Sequence, residues 1–154
     1  MKACVVYFSR TGNTKLLAQA LVKATQAQIF DIASTRPYVI KNFDVVLVGT
    51  PVEGFRATKE TLSFVKDMPE AKGKKAVLFC TYVLWKGTTF RTLSKKLKEK
   101  GYECILNVSK RKVTAQTDFS DITKKVEETL DRAKLANWLT NTNETKKKNA
   151  QSKR

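Results

Sequence analysis

The sequence contains no histidine and few cysteines. Among its 154 residues there are no His and three Cys. Without histidine, the chain cannot build a Ser-His-Asp triad or a His-ligated zinc site. Cys4, Cys80 and Cys104 are far apart, form no Cys-x-x-Cys pair and each lie in an apolar stretch. We therefore expect reduced thiols that pack as small apolar side chains.

Long apolar runs are also missing. No run reaches the roughly 18 residues that a membrane-spanning helix needs. The first eight residues hold one lysine and a short apolar run, without a small-residue cleavage site. This is not the pattern of a signal peptide. We therefore expect Met1 to be the start of a cytoplasmic protein with no membrane span.

Acidic residues are scarce relative to basic ones. The chain has 14 Asp and Glu against 30 Lys and Arg, which gives a formal net charge of +16. The excess lies in residues 1–139 as well as in the basic residues 140–154. Such a field favours anionic partners, whether protein, nucleic acid or membrane surface. A general adaptation of solubility is the alternative, and charge alone does not indicate a fold.

Apolar runs alternate with segments of helical spacing. Runs typical of buried strands cover Lys2–Phe8, Gln28–Ala33, Phe43–Gly49, Lys75–Thr81 and Tyr102–Val108. Helical spacing covers Thr14–Thr25, a segment from Lys59 to about Lys66, Phe90–Leu97 and Ile122–Ala133. Thr58 and either Asp118 or Ser120 are predicted N-caps, and Gly101 is a predicted helix stop.

The alternation predicts an α/β fold, because parallel strands need long crossover connections. We expect a three-layer, doubly wound, five-stranded parallel sheet of order 2-1-3-4-5. In such a sheet, ligands bind outside the carboxyl ends of strands 1 and 3, where the order reverses. Residues 1–139 form the predicted domain. Residues 140–154 have no apolar pattern, so we expect a basic, disordered tail.

A polar segment follows the first strand directly and precedes the first helix. It reads Ser9, Arg10, Thr11, Gly12, Asn13 and Thr14. A helix start exposes unpaired N–H groups and the positive end of the helix dipole, which together bind anions. Hydroxyls and the Asn amide add donors, and glycine lets the backbone approach closely. The segment is neither a Walker A loop nor Gly-x-Gly-x-x-Gly. It predicts a monophosphate site, with an ordinary capped turn as the alternative.

The run from Val5 to Thr14 resembles the FMN-phosphate motif of flavodoxins, in which a Ser or Thr and any residue precede Thr-Gly-x-Thr. The length and element order up to about Leu139 resemble that family as well. The resemblance implies a noncovalently bound FMN whose phosphate lies against Ser9–Thr14. It also implies electron transfer between redox partner proteins.

The resemblance further implies that the flavin ring lies between the loops after strands 3 and 4. The first of these holds Thr50, Pro51, Val52, Glu53, Gly54 and Phe55, and resembles the Ser/Thr-Pro-x-Tyr-x-Gly loop of flavodoxin-like proteins. The second holds Thr81, Tyr82, Val83, Leu84, Trp85 and Gly87. Gly54 would let a peptide carbonyl accept a hydrogen bond from N5 of the reduced flavin. Phe55, Tyr82 and Trp85 are candidate stacking side chains, with ordinary packing as the alternative for each.

The function predicted on this resemblance is an FMN-dependent electron carrier, to which the protein contributes no acid, base or nucleophile. Arg10, Arg56 and Lys86 lie in or near the flavin loops, so we expect acidic redox partners and a monomer. A quinone or protoporphyrinogen type of oxidoreductase is an alternative, although the chain has no long insertion for a substrate loop. A basic binding module without redox work is another. Nucleic acid is less favoured, because no base-reading motif accompanies Lys110–Lys112 or Lys146–Lys148.

Overall fold

A computed structural model describes residues 1–153. Its strands are β1 (Ala3–Tyr7), β2 (Gln28–Asp31), β3 (Val45–Glu53), β4 (Arg56–Ala57), β5 (Lys74–Tyr82) and β6 (Tyr102–Arg111). Its α-helices are α1 (Asn13–Thr25), α2 (Lys59–Lys66), α3 (Thr89–Glu99) and α4 (Ser120–Ser152). Two short 3-10 helices, Ile32–Ser34 and Pro37–Asn42, connect β2 to β3.

Five strands run parallel in the order β2-β1-β3-β5-β6. Numbered among the parallel strands alone, this is the predicted order 2-1-3-4-5, so the predicted fold class is confirmed. β4 was not predicted, because two residues carry no strand pattern. It pairs antiparallel with the end of β3. The strand order reverses between β1 and β3, so the crevice outside their carboxyl ends is the expected ligand site.

The two faces of the sheet bury separate apolar clusters, because successive side chains of a strand point to opposite faces. On β1, Cys4 and Val6 pack in the cluster that α2 and α3 cover. Val5 and Tyr7 pack in the cluster that α1 and α4 cover. The result is the predicted three-layer arrangement of helices, sheet and helices.

The last helix is longer than the sequence pattern predicts. We expected residues 140–154 to be a disordered tail, but residues 140–152 continue α4 in the structure, and residue 154 lies outside the described residues. From Ser120 onward the sequence has no Gly or Pro, so neither of the residues that most strongly end helices is present. No helix in residues 1–153, α4 included, is both long and apolar enough to cross a membrane.

All three cysteines are free thiols, as expected. Cys4 and Cys80 are buried, and Cys104 is half-buried. Burial raises the pKa of Cys4 to about 12 and that of Cys80 to about 12. Both thiols therefore stay protonated near neutral pH and act as apolar side chains of the central strands.

Candidate functional site

A cleft of about 150 Å³ lies at the carboxyl end of the sheet. It is lined by Arg10, Thr11, Asn13, Pro51, Val52, Glu53, Thr81, Tyr82, Val83 and Val113. Its walls come from the segments at the carboxyl ends of β1, β3 and β5, which are neighbours in the sheet. We call them the first loop (9–14), the second loop (50–58) and the third loop (81–89). Residues that are far apart in sequence thus meet at the predicted switch point.

The first loop presents backbone donors at the start of α1. Gly12 has a φ of 97°, a left-handed conformation that suits glycine, and the helix begins at the next residue. Ser9 Oγ accepts hydrogen bonds from the N–H of Gly12 (3.1 Å) and of Lys15 (3.2 Å). Within residues 1–153, the N–H groups of Thr11, Asn13 and Thr14 have no acceptor. These donors and the helix dipole favour an anion at this point.

Thr14 contributes its backbone to this arrangement, but its side chain turns inward. The residue is 1% exposed, and its Oγ1 lies 2.7 Å from Thr81 Oγ1. This buried hydrogen bond joins the first loop to the third. Thr14 is therefore placed to hold two loops together, although the sequence analysis predicted that its hydroxyl would donate to a phosphate.

Thr50, the first residue of the second loop, is likewise buried and does not line the cleft. Its hydroxyl donates to the Pro51 carbonyl at 2.9 Å and accepts from the Thr61 hydroxyl at 3.1 Å. The Thr58 N–H also donates to Thr50 Oγ1, and Thr58 Oγ1 accepts from the Thr61 N–H at the start of α2. The predicted Thr58 cap is confirmed, and this buried hydroxyl cluster fixes the loop to α2.

The tip of the second loop is a two-residue hairpin turn between β3 and β4. Gly54 and Phe55 form it, with φ values of 57° and 62°. Positive φ at both central residues is the mark of a type I′ turn. Glycine adopts this conformation readily, whereas it is unfavourable for Phe55.

The second and third loops meet through their backbones. The Phe55 carbonyl accepts a hydrogen bond from the Thr88 N–H at 3.0 Å. A Cβ added at Gly87 would overlap that same carbonyl, so only glycine permits the approach. The Phe55 and Trp85 rings also touch, with centroids 5.6 Å apart at an interplanar angle of 49°.

The predicted stacking side chains divide into two groups. Tyr82 lines the cleft, whereas Phe55 and Trp85 pack against each other outside its lining and are 48% and 65% exposed. Leu84 is also exposed and outside the lining, and Gly54 and Gly87 lie outside the lining as well. The structure therefore places one predicted aromatic in the cleft and two in an exposed pair on the adjoining loops.

Arg10 and Glu53, both predicted to contact the cofactor, pair with each other across the first and second loops. Arg10 Nε lies 2.6 Å from Glu53 Oε1, and its Nη2 lies 3.2 Å from Glu60 Oε1. The guanidinium also lies over the Phe8 ring, 5.1 Å from its centroid. The hydrogen bond to Glu53, followed by that to Glu60, raises the pKa of Arg10. A hydrogen bond from its own backbone N–H, and then the bond from Arg10, lowers the pKa of Glu60.

The segment after β6 forms a further wall that the sequence analysis missed. Val113 lines the cleft. Arg111 Nε donates to the Val83 carbonyl at 2.7 Å, and the Lys112 N–H donates to the Tyr82 carbonyl at 2.8 Å. These bonds hold the third loop from its outer side. The predicted strand order makes β6 the neighbour of β5, and the third loop lies at the end of β5. That order alone could have predicted a contact between the third loop and the segment after β6.

Comparison with known proteins identifies the family. The sequence profile described as Flavodoxin domain matches residues 4–154. This chain belongs to the flavodoxin family. The profile covers all three loops around the cleft.

Individual proteins and solved structures are similar to this chain. An uncharacterized protein of Methanocaldococcus jannaschii is 30% identical over 108 residues, which cover 68% of this chain and 71% of that protein. The flavodoxin of Megasphaera elsdenii is 34% identical over 86 residues, 51% of this chain and 63% of that protein. A solved flavodoxin from the domain Archaea superposes with a TM-score of 0.70 at 22% identity, covering 87% of this chain and 99% of that one.

Flavodoxins bind FMN as their cofactor, and the residues of this site fit that group. The unpaired amides of Thr11, Asn13 and Thr14 suit a phosphate monoester at the start of α1. The apolar side chains of Val52 and Val113 line the same cleft and suit the flavin ring.

Proposed function

We propose that this chain binds FMN at the cleft and carries electrons between redox partner proteins. The observation that carries the proposal is the set of unpaired backbone donors at the start of α1. Two of the residues that carry them, Thr11 and Asn13, line a cleft whose other walls are the second and third loops, and Thr14 is 1% exposed. FMN supplies the redox chemistry when it is bound, and the protein supplies binding and electrostatics.

The chain's own residues would hold the two ends of the cofactor differently. The first loop binds the phosphate through amides and the Ser9 hydroxyl, whose own hydrogen is free to donate because Ser9 Oγ accepts its two bonds from backbone N–H groups. The second and third loops, which line the cleft with Val52 and Tyr82, would hold the ring and limit its contact with water. The Phe55 carbonyl links the second loop to the third, and the Thr14–Thr81 hydroxyl pair links the first loop to the third, which keeps these walls in place.

A carrier is favoured over an oxidoreductase because, among the residues that line the cleft, the only titratable group outside an ion pair is the Tyr82 phenol. Of its lining residues, Arg10 and Glu53 are charged, and each is held by the other. General acid–base catalysis needs a titratable group within hydrogen-bonding reach of the reacting atoms. A quinone-reducing activity remains the competing function to be tested.

The charges around the loops favour an acidic partner. Within residues 1–153, Arg56, Lys86 and Arg111 make no ion pair, in contrast to Arg10. Their positive field would stabilise the fully reduced, anionic flavin. We therefore expect a less negative potential for the second one-electron reduction than in flavodoxins with acidic surfaces.

The decisive experiment compares electron transfer with turnover. The FMN-loaded protein, reduced by dithionite under argon, should pass electrons to an acidic redox protein in a single-exchange reaction that slows as ionic strength rises. The same protein should show no sustained oxidation of NADH or NADPH with a quinone. Steady quinone turnover would overturn the carrier assignment. An exchange rate that is insensitive to salt would overturn the acidic partner.

A reductive titration tests the charge argument separately. Replacing Lys86 by Gln removes a cation that lies 5.6 Å from the Tyr82 ring centroid without creating an opposite charge. We expect the second potential of this variant to become more negative than that of the unaltered protein. Lys23→Gln, an equal change of net charge at the end of α1, should leave the potential nearly unchanged. Equal shifts in the two variants would contradict the local effect.

A further inference from the structure

The second half of α4 contributes no buried residue. Leu130 is its last buried residue, and beyond it Ala133, Ala136, Asn137 and Thr140 line only an open groove beside Lys72–Lys75. We call Asp131–Ser152, which has no buried residue, the free segment; it is about 33 Å long. It is rich in Thr and Asn, which are weak helix formers, and isolated helices of this length are marginal in water. This part of α4 therefore needs a packing partner to be stable.

One face of the free segment carries an apolar cluster. Leu135, Trp138 and Leu139 are 58%, 61% and 48% exposed. Their i, i+3, i+4 spacing puts them on one side of the helix. That side is about 180° around the axis from Val126, which packs in the core. The cluster therefore faces away from the sheet, and we call it the outer face of α4.

The charges along the outer face are ordered. Before the apolar cluster come Glu127, Glu128 and Asp131, and after it come Lys146 and Lys153. All are exposed, and none makes an ion pair within residues 1–153. By helical geometry, all five lie within about 80° of the direction of the apolar cluster. Lys124 and Arg132, also exposed, lie within the same 80°, so the face carries a mixed but mainly acidic end, an apolar middle and lysines at the other end.

We propose that the outer face of α4 binds the same face of a second copy of this chain, with the two helices antiparallel. A two-fold axis near the middle of the apolar cluster places Leu135 of one protomer against Leu139 of its partner. It places Glu128 of each opposite Lys146 of the other, because both lie about nine residues from that centre. The interface is self-complementary, as a two-fold dimer requires. It replaces the sequence-based expectation of a monomer.

An anionic membrane is the other partner that a basic helix with an exposed tryptophan suits. The carboxylates of Glu127, Glu128 and Asp131 disfavour it, because they share the face with the apolar cluster and would be repelled by anionic headgroups. The same carboxylates are what a second copy needs to pair with its lysines. The net charge of +16 opposes self-association in general, so the dimer is expected to be reversible and to depend on concentration.

Sedimentation of the full chain with charge-reversal variants tests the pairing. At physiological salt, the unaltered protein should pass from monomer to dimer as concentration rises. Glu128→Lys and Lys146→Glu should each weaken the dimer about tenfold, since each replaces two attractive pairs by two repulsive ones. The double variant should restore the dimer to within about threefold, because it exchanges the two signs. Helix content by circular dichroism should rise with concentration in the proteins that dimerise.

The controls separate this pairing from a general charge effect. Lys98→Glu, an equal charge change at an exposed position of α3, should not weaken the dimer. Because Lys146→Glu lowers the net positive charge, general repulsion alone would make its dimer stronger. A protein that stays monomeric at all concentrations, or a double variant as weak as the single ones, would overturn the proposal. Binding of the monomer to phosphatidylserine vesicles that Trp138→Ala abolishes and Lys98→Glu does not would also overturn it and identify the membrane as the partner of this face.

Discussion

The first loop is held by residues close together in the sequence, whereas the second and third loops are held by residues far apart in the sequence. In the first loop, Ser9 Oγ accepts from Gly12 and Lys15, so a few consecutive residues shape the turn. The second and third loops take their positions from each other, through the Phe55 carbonyl and the Thr88 N–H. A phosphate site can thus be encoded locally, whereas a ring site depends on which strands are neighbours.

The contact between the second and third loops can be broken at Gly87. Gly87→Ala combines a φ of 57° with overlap between the new Cβ and the Phe55 carbonyl. We expect the free energy of unfolding to fall by roughly 2–4 kcal/mol. FMN and riboflavin should both bind more weakly, because the wall of the ring site moves. Urea unfolding and fluorescence titration measure the two effects.

Gly101→Ala is the matched control for this prediction. Gly101 has a φ of 90°, and an added Cβ would overlap the Ala71 carbonyl at the amino end of β6. The loss of stability should be similar, but flavin affinity should be kept. If both variants lose flavin binding to the same extent, the role assigned to Gly87 is wrong.

The local character of the first loop is tested with Ser9→Ala. The change removes the acceptor of two backbone N–H groups and one hydroxyl donor. FMN affinity should fall about tenfold, the scale of one hydrogen bond to a charged group, and riboflavin affinity should stay within about twofold. Ser120→Ala, which removes a hydroxyl at the start of α4, should alter neither. An equal loss for both flavins would mean that the first loop does not act through phosphate.

Much of this comparison could be predicted from sequence, but not all of it. The order Ser9 to Thr14 after an apolar strand predicts the phosphate loop, because the turn and its donors are contiguous. The placement of Thr50 under the loop could not be predicted, since its hydrogen-bonding partner Thr61 lies on the next helix. The Arg10–Glu53 pair and the wall at Val113 depend on strand order and side-chain reach, which residue type alone does not give.

The exposed aromatic pair gives a smaller effect. Trp85→Ala removes the ring that packs on Phe55, and Trp85 is 65% exposed. FMN and riboflavin affinities should fall together by about threefold to tenfold, with little change in stability. Trp138→Ala on α4 should change neither affinity. Isothermal titration of both variants makes the comparison, and a loss confined to FMN would contradict an effect through the loops that would hold the ring.

The smallest expected effect is on stability at alkaline pH. It comes from two buried thiols on the strands that lead into the first and third loops. Cys4 on β1 and Cys80 on β5 have pKa values raised from 9.0 to about 12 by burial. The unfolded chain loses these protons first as pH rises from about 9 to about 12, so the free energy of unfolding should fall over that window. Below pH 9 the two thiols should contribute no pH dependence.

Urea unfolding between pH 8 and pH 11 measures this slope. In a Cys4→Ala, Cys80→Ala double variant the decline should be shallower than in the unaltered chain. A decline of identical slope would show that other groups account for it.

The account as a whole depends on the start of α1 binding a phosphate monoester. The most direct measurement is the affinity of the apoprotein for FMN and for riboflavin, taken side by side by calorimetry in a phosphate-free buffer. We predict that FMN binds at least about 100-fold more tightly, the gain from two charge-assisted hydrogen bonds. Equal affinities for the two flavins would contradict the claim.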